Sequence, residues 1–354
     1  MTLATLPYEI GPIRPPSEAA SLLIRATRNC PWNKCEFCPT YKGTQFERRT
    51  LADVLEDVDK AAAFHGDVFQ TAFIQDANSL VMKTDELVQV LSRLKERFPG
   101  VQRVTSYARA RTVARKSLEE LKQLHEAGLT RLHIGLESGY DPLLEYMNKG
   151  VTSDLVIEGG KKVVESGISL CLYVVLGLGG RLRLEGEETW RSHALHTARV
   201  LNEVNPDYIR VRTLTIKEGM PLYQKLVSGE FEESNDAEKV REEQVLIQNL
   251  SVSSYFASDH STNILMEVRG QLPEDKEAML SIMERYLGLS EVEQVNFRLG
   301  TLFRYFGYEP NYASFRDFFV PAKRESVTQV VEKLEQEQPG RSRVLVAEFS
   351  RMLI

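Results

Sequence analysis

Six short apolar, β-branched runs alternate with amphipathic stretches through the first two-thirds of the chain. The runs are Ser21–Arg28, Phe69–Gln75, Val101–Ala108, Thr130–Ser138, Ser169–Gly179 and Tyr208–Ile216. Each has the length and residue type of a buried strand. Between them, apolar positions recur every three or four residues, the period of a helix with one buried face. Thr84 is the expected cap of a helix that stops at Pro99-Gly100. Ser117 and Glu120 form a capping box on a helix closed by Gly128, and Thr152 caps one that ends at Gly167. A strand–helix unit repeated six times predicts an α/β fold with a parallel sheet, here a partial (β/α)6 TIM-like barrel. In such sheets the chemistry sits at the carboxyl ends of the strands.

Beyond about Lys217 the pattern becomes mostly helical. Charged stretches such as "EESNDAEKVREEQ" and "EKLEQEQPGRSR" read there as solvated helix faces. The expected organisation is an N-terminal extension (1–20), a barrel (21–220) and a helical C-terminal region (221–354). With 354 residues, 42% of them hydrophobic, the chain can bury a large core. A net charge of −6 offers no bulk attraction to phosphate backbones or anionic lipid. No apolar run approaches the ~20 residues that span a bilayer. The opening "MTLATLPYEIGPIRPP" lacks the charged-then-apolar order of a secretory signal. Four cysteines do not make a disulfide framework. These features together lead us to expect a cytoplasmic protein without nucleic-acid or membrane partners.

Three of those cysteines, Cys30, Cys35 and Cys38, fall within "RNCPWNKCEFCPTYKG", directly after the first strand. A Cys-x4-Cys-x2-Cys loop can wrap one soft metal centre, either zinc or an iron–sulfur cluster. A structural zinc closes with four ligands. The fourth cysteine, Cys171, lies far away in the fifth strand, and His65 falls on the first helix. A four-iron cluster held by three thiolates keeps one iron open to a further ligand.

The cysteine loop, Phe37 just before its last cysteine, and the six strand–helix units that follow resemble the radical S-adenosylmethionine enzymes over roughly residues 20–220. The spacing is one residue longer than the commonest Cys-x3-Cys-x2-Cys. The resemblance implies one [4Fe–4S] cluster on Cys30, Cys35 and Cys38, with S-adenosylmethionine on the open iron. It also implies an external electron donor such as a flavodoxin or ferredoxin. Reductive cleavage of the cofactor then gives methionine and a 5′-deoxyadenosyl radical that abstracts hydrogen from a small-molecule substrate. The segment "HIGLESGYDPLLEYMNKG" is similar to the branch of oxygen-independent coproporphyrinogen oxidases and methylthiotransferases. By that likeness Glu137 contacts the cofactor ribose and Lys149 its carboxylate. Gln75, Asp76, Ala77 and Asn78 stand where the family has a glycine-rich turn; Asp76 or a neighbouring carbonyl would accept from the ammonium. Gly177, in "VLGLGG", is at the adenine-side strand end, and Leu214 and Phe37 are candidates to pack on the adenine.

Strand alternation adds further candidates. Tyr107 and Arg109 share a face of the third strand, and Tyr173 lies on the fifth; all three join the cofactor-binding set. If Glu137 points inward, so does His133. Arg210 and Arg212 share a face of the sixth strand opposite Val211 and Thr213. Interior arginines need acidic partners, which points to a substrate bearing carboxylate or phosphate. A structural salt-bridge network is the other reading. His260 is a further substrate-binding candidate, on a loop from the C-terminal region. Cys171 reads as a small buried hydrophobe, and His193 and His196 as ordinary imidazoles. No catalytic residue is assigned. One remaining cysteine is too few for a second cluster, and so short a segment before the first strand is expected to hold no cobalamin or methylthiotransferase domain. The competing readings are a zinc- or cluster-binding regulatory protein on an inactive barrel, and a non-redox α/β enzyme with structural cysteines.

Overall fold

All six apolar runs are strands in the computed structural model, which describes residues 6–353. They are β1 (Leu22–Arg25), β2 (Thr71–Gln75), β3 (Arg103–Ala108), β4 (Leu129–Glu137), β5 (Ser169–Leu176) and β6 (Tyr208–Thr213). The intervening helices are α1 (Leu51–His65), α2 (Thr84–Arg97), α3 (Ala110–Arg115), α4 (Leu118–Ala127), α5 (Asp141–Tyr146), α6 (Ser153–Glu165) and α7 (Thr189–Val204). The fold class is the α/β architecture that the alternation predicts.

The chain divides into two compact units that alternate along the sequence. One runs to Leu136 and adds Met147–Tyr173 and Glu203–Asp207. The other takes Glu137–Tyr146, Val174–Asn202 and the chain from Tyr208 onward.

In the first unit β1 pairs with β2, β2 with β3 and β3 with β4, all parallel. The register sets Leu22 opposite Ala72, Phe73 opposite Thr105 and Tyr107 opposite His133. Apolar residues such as Leu22, Ile24, Phe73 and Leu132 are buried, as a sheet covered by helices requires. Helix α1 packs on α2, α2 on α4, and α3 and α4 on α6. The Ser117–Glu120 capping box forms, and Thr152 accepts from the Leu155 N–H. Thr84 is not a cap. It is already helical, and its hydroxyl bridges the Lys116 ammonium (2.8 Å) and the Glu120 carboxylate (2.6 Å). A buried hydroxyl with two charged neighbours gains more from them than from the helix end.

In the second unit the region expected to be mostly helical also contains two strands, β7 (Tyr255–Ala257) and β8 (Arg269–Gln271). Strand β7 pairs parallel with β6 and antiparallel with β8. Three residues carry too little periodicity to show in the sequence. The helices here are α8 (Pro221–Ser228), α9 (Asp236–Gln248), α10 (Lys276–Leu287), α11 (Glu291–Phe306), α12 (Pro321–Glu337) and α13 (Arg341–Met352). Tyr286, Phe297, Phe315 and Phe318 pack edge-on and stacked into their core. No helix among the described residues is long and apolar enough to cross a membrane.

Candidate active site

The cysteine loop leaves β1 and is held from three sides, all within the first unit. From below, the fully buried Asp76 carboxylate at the end of β2 accepts from Arg25 Nη2 (2.6 Å) and Nε (3.0 Å), Tyr41 Oη (2.8 Å) and the Asn29 N–H (3.1 Å). Burial, then the Asp76 charge, pushes the Tyr41 phenol up, so it stays a donor. Four donors occupy this carboxylate. The Asp76 side chain therefore anchors the loop.

From the second side, the N-terminal segment threads under the loop. Gln75 exchanges hydrogen bonds with Gly11 (2.8 and 3.2 Å) and donates to the Ile13 carbonyl (2.6 Å). Its amide is thus bonded to the N-terminal segment. Glu9 accepts from Arg25 (2.8 Å) and Arg28 (2.6 Å), and the hydrogen bond from Arg28 first of all holds Glu9 below the usual carboxylate range. Within the loop, Asn29 and Asn33 take positive φ (69° and 51°), and the Asn33 amide donates to the Tyr41 carbonyl. Asparagine tolerates that conformation.

The third side is the turn after α5. Consecutive carbonyls there receive the loop: Met147 O from the Glu36 N–H (3.0 Å), Asn148 O from the Trp32 indole (2.7 Å) and Lys149 O from Arg109 (3.5 Å). Gly150 has φ 70°, and a Cβ on it would collide with the Trp32 ring. Gly150→Ala therefore carries two penalties. The left-handed backbone alone costs about 1–2 kcal/mol, and Trp32 must leave its seat. The expected result is lower stability in urea and lower iron loading. Adding Trp32→Ala should relieve the collision but not the backbone term.

Arg109 stands where β3 meets α3. Its N–H donates to Asn78 Oδ1 (3.0 Å), while the Asn78 amide donates to Thr112 (2.8 Å). Asn78 thus positions Arg109 through its backbone. The guanidinium lies 5.3 Å from the Trp32 ring. Burial pulls its pKa down, and the Cys30 and Cys35 sulfurs push it back up. A permanent cation thus stands beside two of the three cysteines. Lys149 lies 5.8 Å over the Phe37 ring. Cys30, Cys35 and Cys38 are partly exposed and form no disulfide. Among the described residues, no group of three or more His, Cys, Asp or Glu side chains is drawn together as for a single metal ion. The donor set is three soft thiols beside a cation on a braced loop, which fits a cluster.

Deeper in the first unit, Tyr107 touches Phe73 and His133 edge-on (5.0 and 5.9 Å), and His133 lies 5.7 Å from Tyr173. The structure thus brings Tyr107, His133 and Tyr173 into one aromatic row, with His133 and Tyr173 buried and Tyr107 partly so. Cys171 is buried, as expected of a small apolar side chain.

In the second unit, Glu137 ends β4 with φ 62°, uncommon for a residue with a Cβ. Strain of this kind collects at functional positions. The turn behind it is docked on α7: the Gly139 N–H donates to Thr197 (2.8 Å), and Ser138 meets buried His193 (2.8 Å). Gly177, at φ 73°, donates its N–H to buried Glu242 (2.8 Å). His193 also reaches Glu242 (3.4 Å) and is a packed imidazole. The Leu214 N–H bonds the Leu176 carbonyl (2.9 Å). Arg210 pairs with Asp259 (3.2 Å). Burial, with Arg212 next, pushes His260 down to about 4. Arg210, Arg212 and Asp259 therefore surround a His260 held neutral. Glu9, Arg25, Trp32, Tyr41 and the carbonyls of 147–149 escaped the sequence reading. Only the Asn-Lys-Gly turn signal pointed toward any of them.

A family model described as the Radical SAM superfamily matches residues 24–189. An uncharacterized methyltransferase of Pyrococcus horikoshii is 25% identical over 169 residues, covering 47% of this chain and 35% of that protein. A tRNA uridine(34) acetyltransferase of Methanocaldococcus jannaschii is 21% identical over 122 residues, covering 34% of this chain and 22% of that one. The match thus spans less than two-thirds of either relative's length. Among solved structures, coproporphyrinogen III oxidase from Escherichia coli, titled a radical SAM enzyme, aligns with a TM-score of 0.48 at 16% identity, covering 64% of this chain and 50% of that one.

Proposed function

Residues 24–189 are a radical SAM superfamily domain, and from that premise we propose that Cys30, Cys35 and Cys38 hold one [4Fe–4S] cluster whose open iron takes S-adenosylmethionine. When bound and reduced, this pair supplies a 5′-deoxyadenosyl radical, with methionine as co-product, for hydrogen abstraction from a small-molecule substrate. The observation that carries the reading is the loop: three thiols within nine residues, fixed between Asp76 and the Met147–Gly150 turn. A loop braced this way holds its thiols in place without help from the metal.

Each residue then has a task. Lys149 and Arg109 offer cations to the methionine carboxylate. With the Asp76 side chain occupied, backbone carbonyls after β2 are left to accept from the ammonium. Glu137 accepts from ribose hydroxyls, its strained backbone aiming the carboxylate. Gly177 and Leu214 flank the adenine side. Arg210, Arg212 and His260 favour a substrate with a carboxylate or phosphate. The low His260 pKa keeps that imidazole neutral above about pH 5, so the local charges are Arg210, Arg212 and Asp259, two cations against one carboxylate. An external electron donor and a cytoplasmic setting complete the proposal.

Arg109 supplies a test of electrostatics. A cation beside the thiolates favours the more reduced cluster, because net charge is one lever on its potential. Arg109→Met should lower the midpoint potential in an EPR-monitored titration, and Arg109→Lys should recover most of the difference. The central test is simpler. Adding S-adenosylmethionine to the reduced, reconstituted protein should alter the cluster's EPR signal. An unaltered signal would remove the open-iron assignment.

A further inference from the structure

Two residues assigned above to the cofactor, Glu137 and Gly177, both carry a left-handed backbone at a strand end. Glu137, the last residue of β4, has φ 62°, and Gly177, the first after β5, has φ 73°. Glycine adopts this conformation freely, whereas glutamate pays for it. A strained residue keeps its place only where its surroundings over-determine it. Both turns belong to the second unit, and helices α7 and α9 of that unit supply the surroundings.

The connection is a chain of side chains. Ser138, next to Glu137, accepts from the Tyr140 N–H (3.0 Å), and its hydroxyl meets His193 Nδ1 (2.8 Å). Across the ring, Nε2 faces the Val175 carbonyl (3.2 Å) and Glu242 Oε1 (3.4 Å). Both of these are acceptors, so Nε2 carries the proton. The same Glu242 oxygen accepts from the Gly177 N–H (2.8 Å). Thr197, one turn along α7, accepts from the Gly139 N–H (2.8 Å). Gly139 sits so close to α7 that a Cβ on it would collide with the His196 carbonyl. One imidazole therefore spans both turns, and one carboxylate closes the link.

Folding alone does not call for this arrangement. His193 and Glu242 are each 1% exposed, and Glu242 Oε2 has no hydrogen-bond partner among the described residues. Burying such groups is costly, and apolar residues of similar volume often serve stability as well or better. What the polar pair adds is direction, because each of its bonds fixes one atom of a turn. We infer that His193 and Glu242 are positioning residues. They set the Glu137 turn and the Gly177 turn against each other, and so fix where the ribose and adenine ends of S-adenosylmethionine are received. The inference rests on the reading of Glu137 and Gly177 as cofactor contacts.

The test uses the full-length, cluster-loaded, oxidised protein and its Glu242→Met and Glu242→Gln variants. Calorimetry compares S-adenosylmethionine with L-methionine, which can reach the open iron without touching either turn. Glu242→Met should bind S-adenosylmethionine about tenfold more weakly, the scale of one lost hydrogen bond, with iron content and L-methionine affinity unchanged. Glu242→Gln keeps an oxygen for the Gly177 N–H and should recover most of the loss. In the apoproteins, amide exchange read by mass spectrometry should quicken in Glu242→Met at both turns, 138–140 and 175–179. Unchanged affinity for S-adenosylmethionine in Glu242→Met, an equal loss for L-methionine, or faster exchange confined to the Gly177 turn would each overturn the inference alone. A loaded parent that binds no S-adenosylmethionine would instead overturn the cofactor reading, and this inference with it.

Discussion

Cys35→Ala is expected to empty the metal site without unfolding the protein. After anaerobic reconstitution, iron and sulfide should fall to the background of the untreated chain, and 5′-deoxyadenosine formation should vanish with them. Two thiols cannot hold a cubane in place of three, and the nearest remaining cysteine, Cys171, is buried within β5. The fold should survive because hydrogen bonds from other groups hold the loop. Asp76, the Asn148 carbonyl and the Asn33 amide hold it through hydrogen bonds that alanine does not touch. Circular dichroism and urea midpoint should therefore stay near those of the parent apoprotein. Retention of a full complement of iron in Cys35→Ala would contradict the cysteine assignment.

Asp76→Ala is expected to have the opposite profile: a large loss of stability, with the cluster failing as a consequence. Asp76 has no exposed side-chain surface, and its partner Arg25 is 14% exposed. Breaking a buried ion pair costs up to about 3–5 kcal/mol, and Glu9, still 2.8 Å from Arg25, offsets part of that. Tyr41 and the Asn29 N–H lose their acceptor at the same time. Asp76→Asn keeps an acceptor for one or two of these donors but not the charge, and should fall between parent and alanine. Urea denaturation of the three apoproteins orders them. An Asp76→Ala protein as stable as its parent would show that the loop is anchored elsewhere.

The strands were legible because each is an apolar run bounded by turn residues. Tyr208 and Ser169 begin strands where the pattern puts them. Strands β7 and β8 were not, because three residues cannot display a period. The division into units was hidden for a different reason. It depends on contacts between distant segments, such as Met147 with the cysteine loop, which leave no mark in local composition. At the site, spacing exposed the cysteines, while alternation grouped Tyr107 with Arg109 and His133 with Glu137 but did not show that Tyr107 and His133 meet. Yet Gln75 and Asp76, rightly singled out as polar residues at a strand end, have their side chains turned to bracing the loop. A sequence shows that a carboxylate is present but not which donors reach it first. Backbone acceptors such as the carbonyls of 147–149 have no side-chain signature, and only the glycine that lets Trp32 approach them hints at their role.

The account stands on one claim, that three cysteines and an open iron make this chain a cleaver of S-adenosylmethionine. The direct measurement is product formation by the cluster-loaded, full-length protein under anaerobic reduction with S-adenosylmethionine. The expected result is 5′-deoxyadenosine together with methionine, absent from the Cys35→Ala control. A protein with its full complement of iron and sulfide that yields no 5′-deoxyadenosine would contradict it.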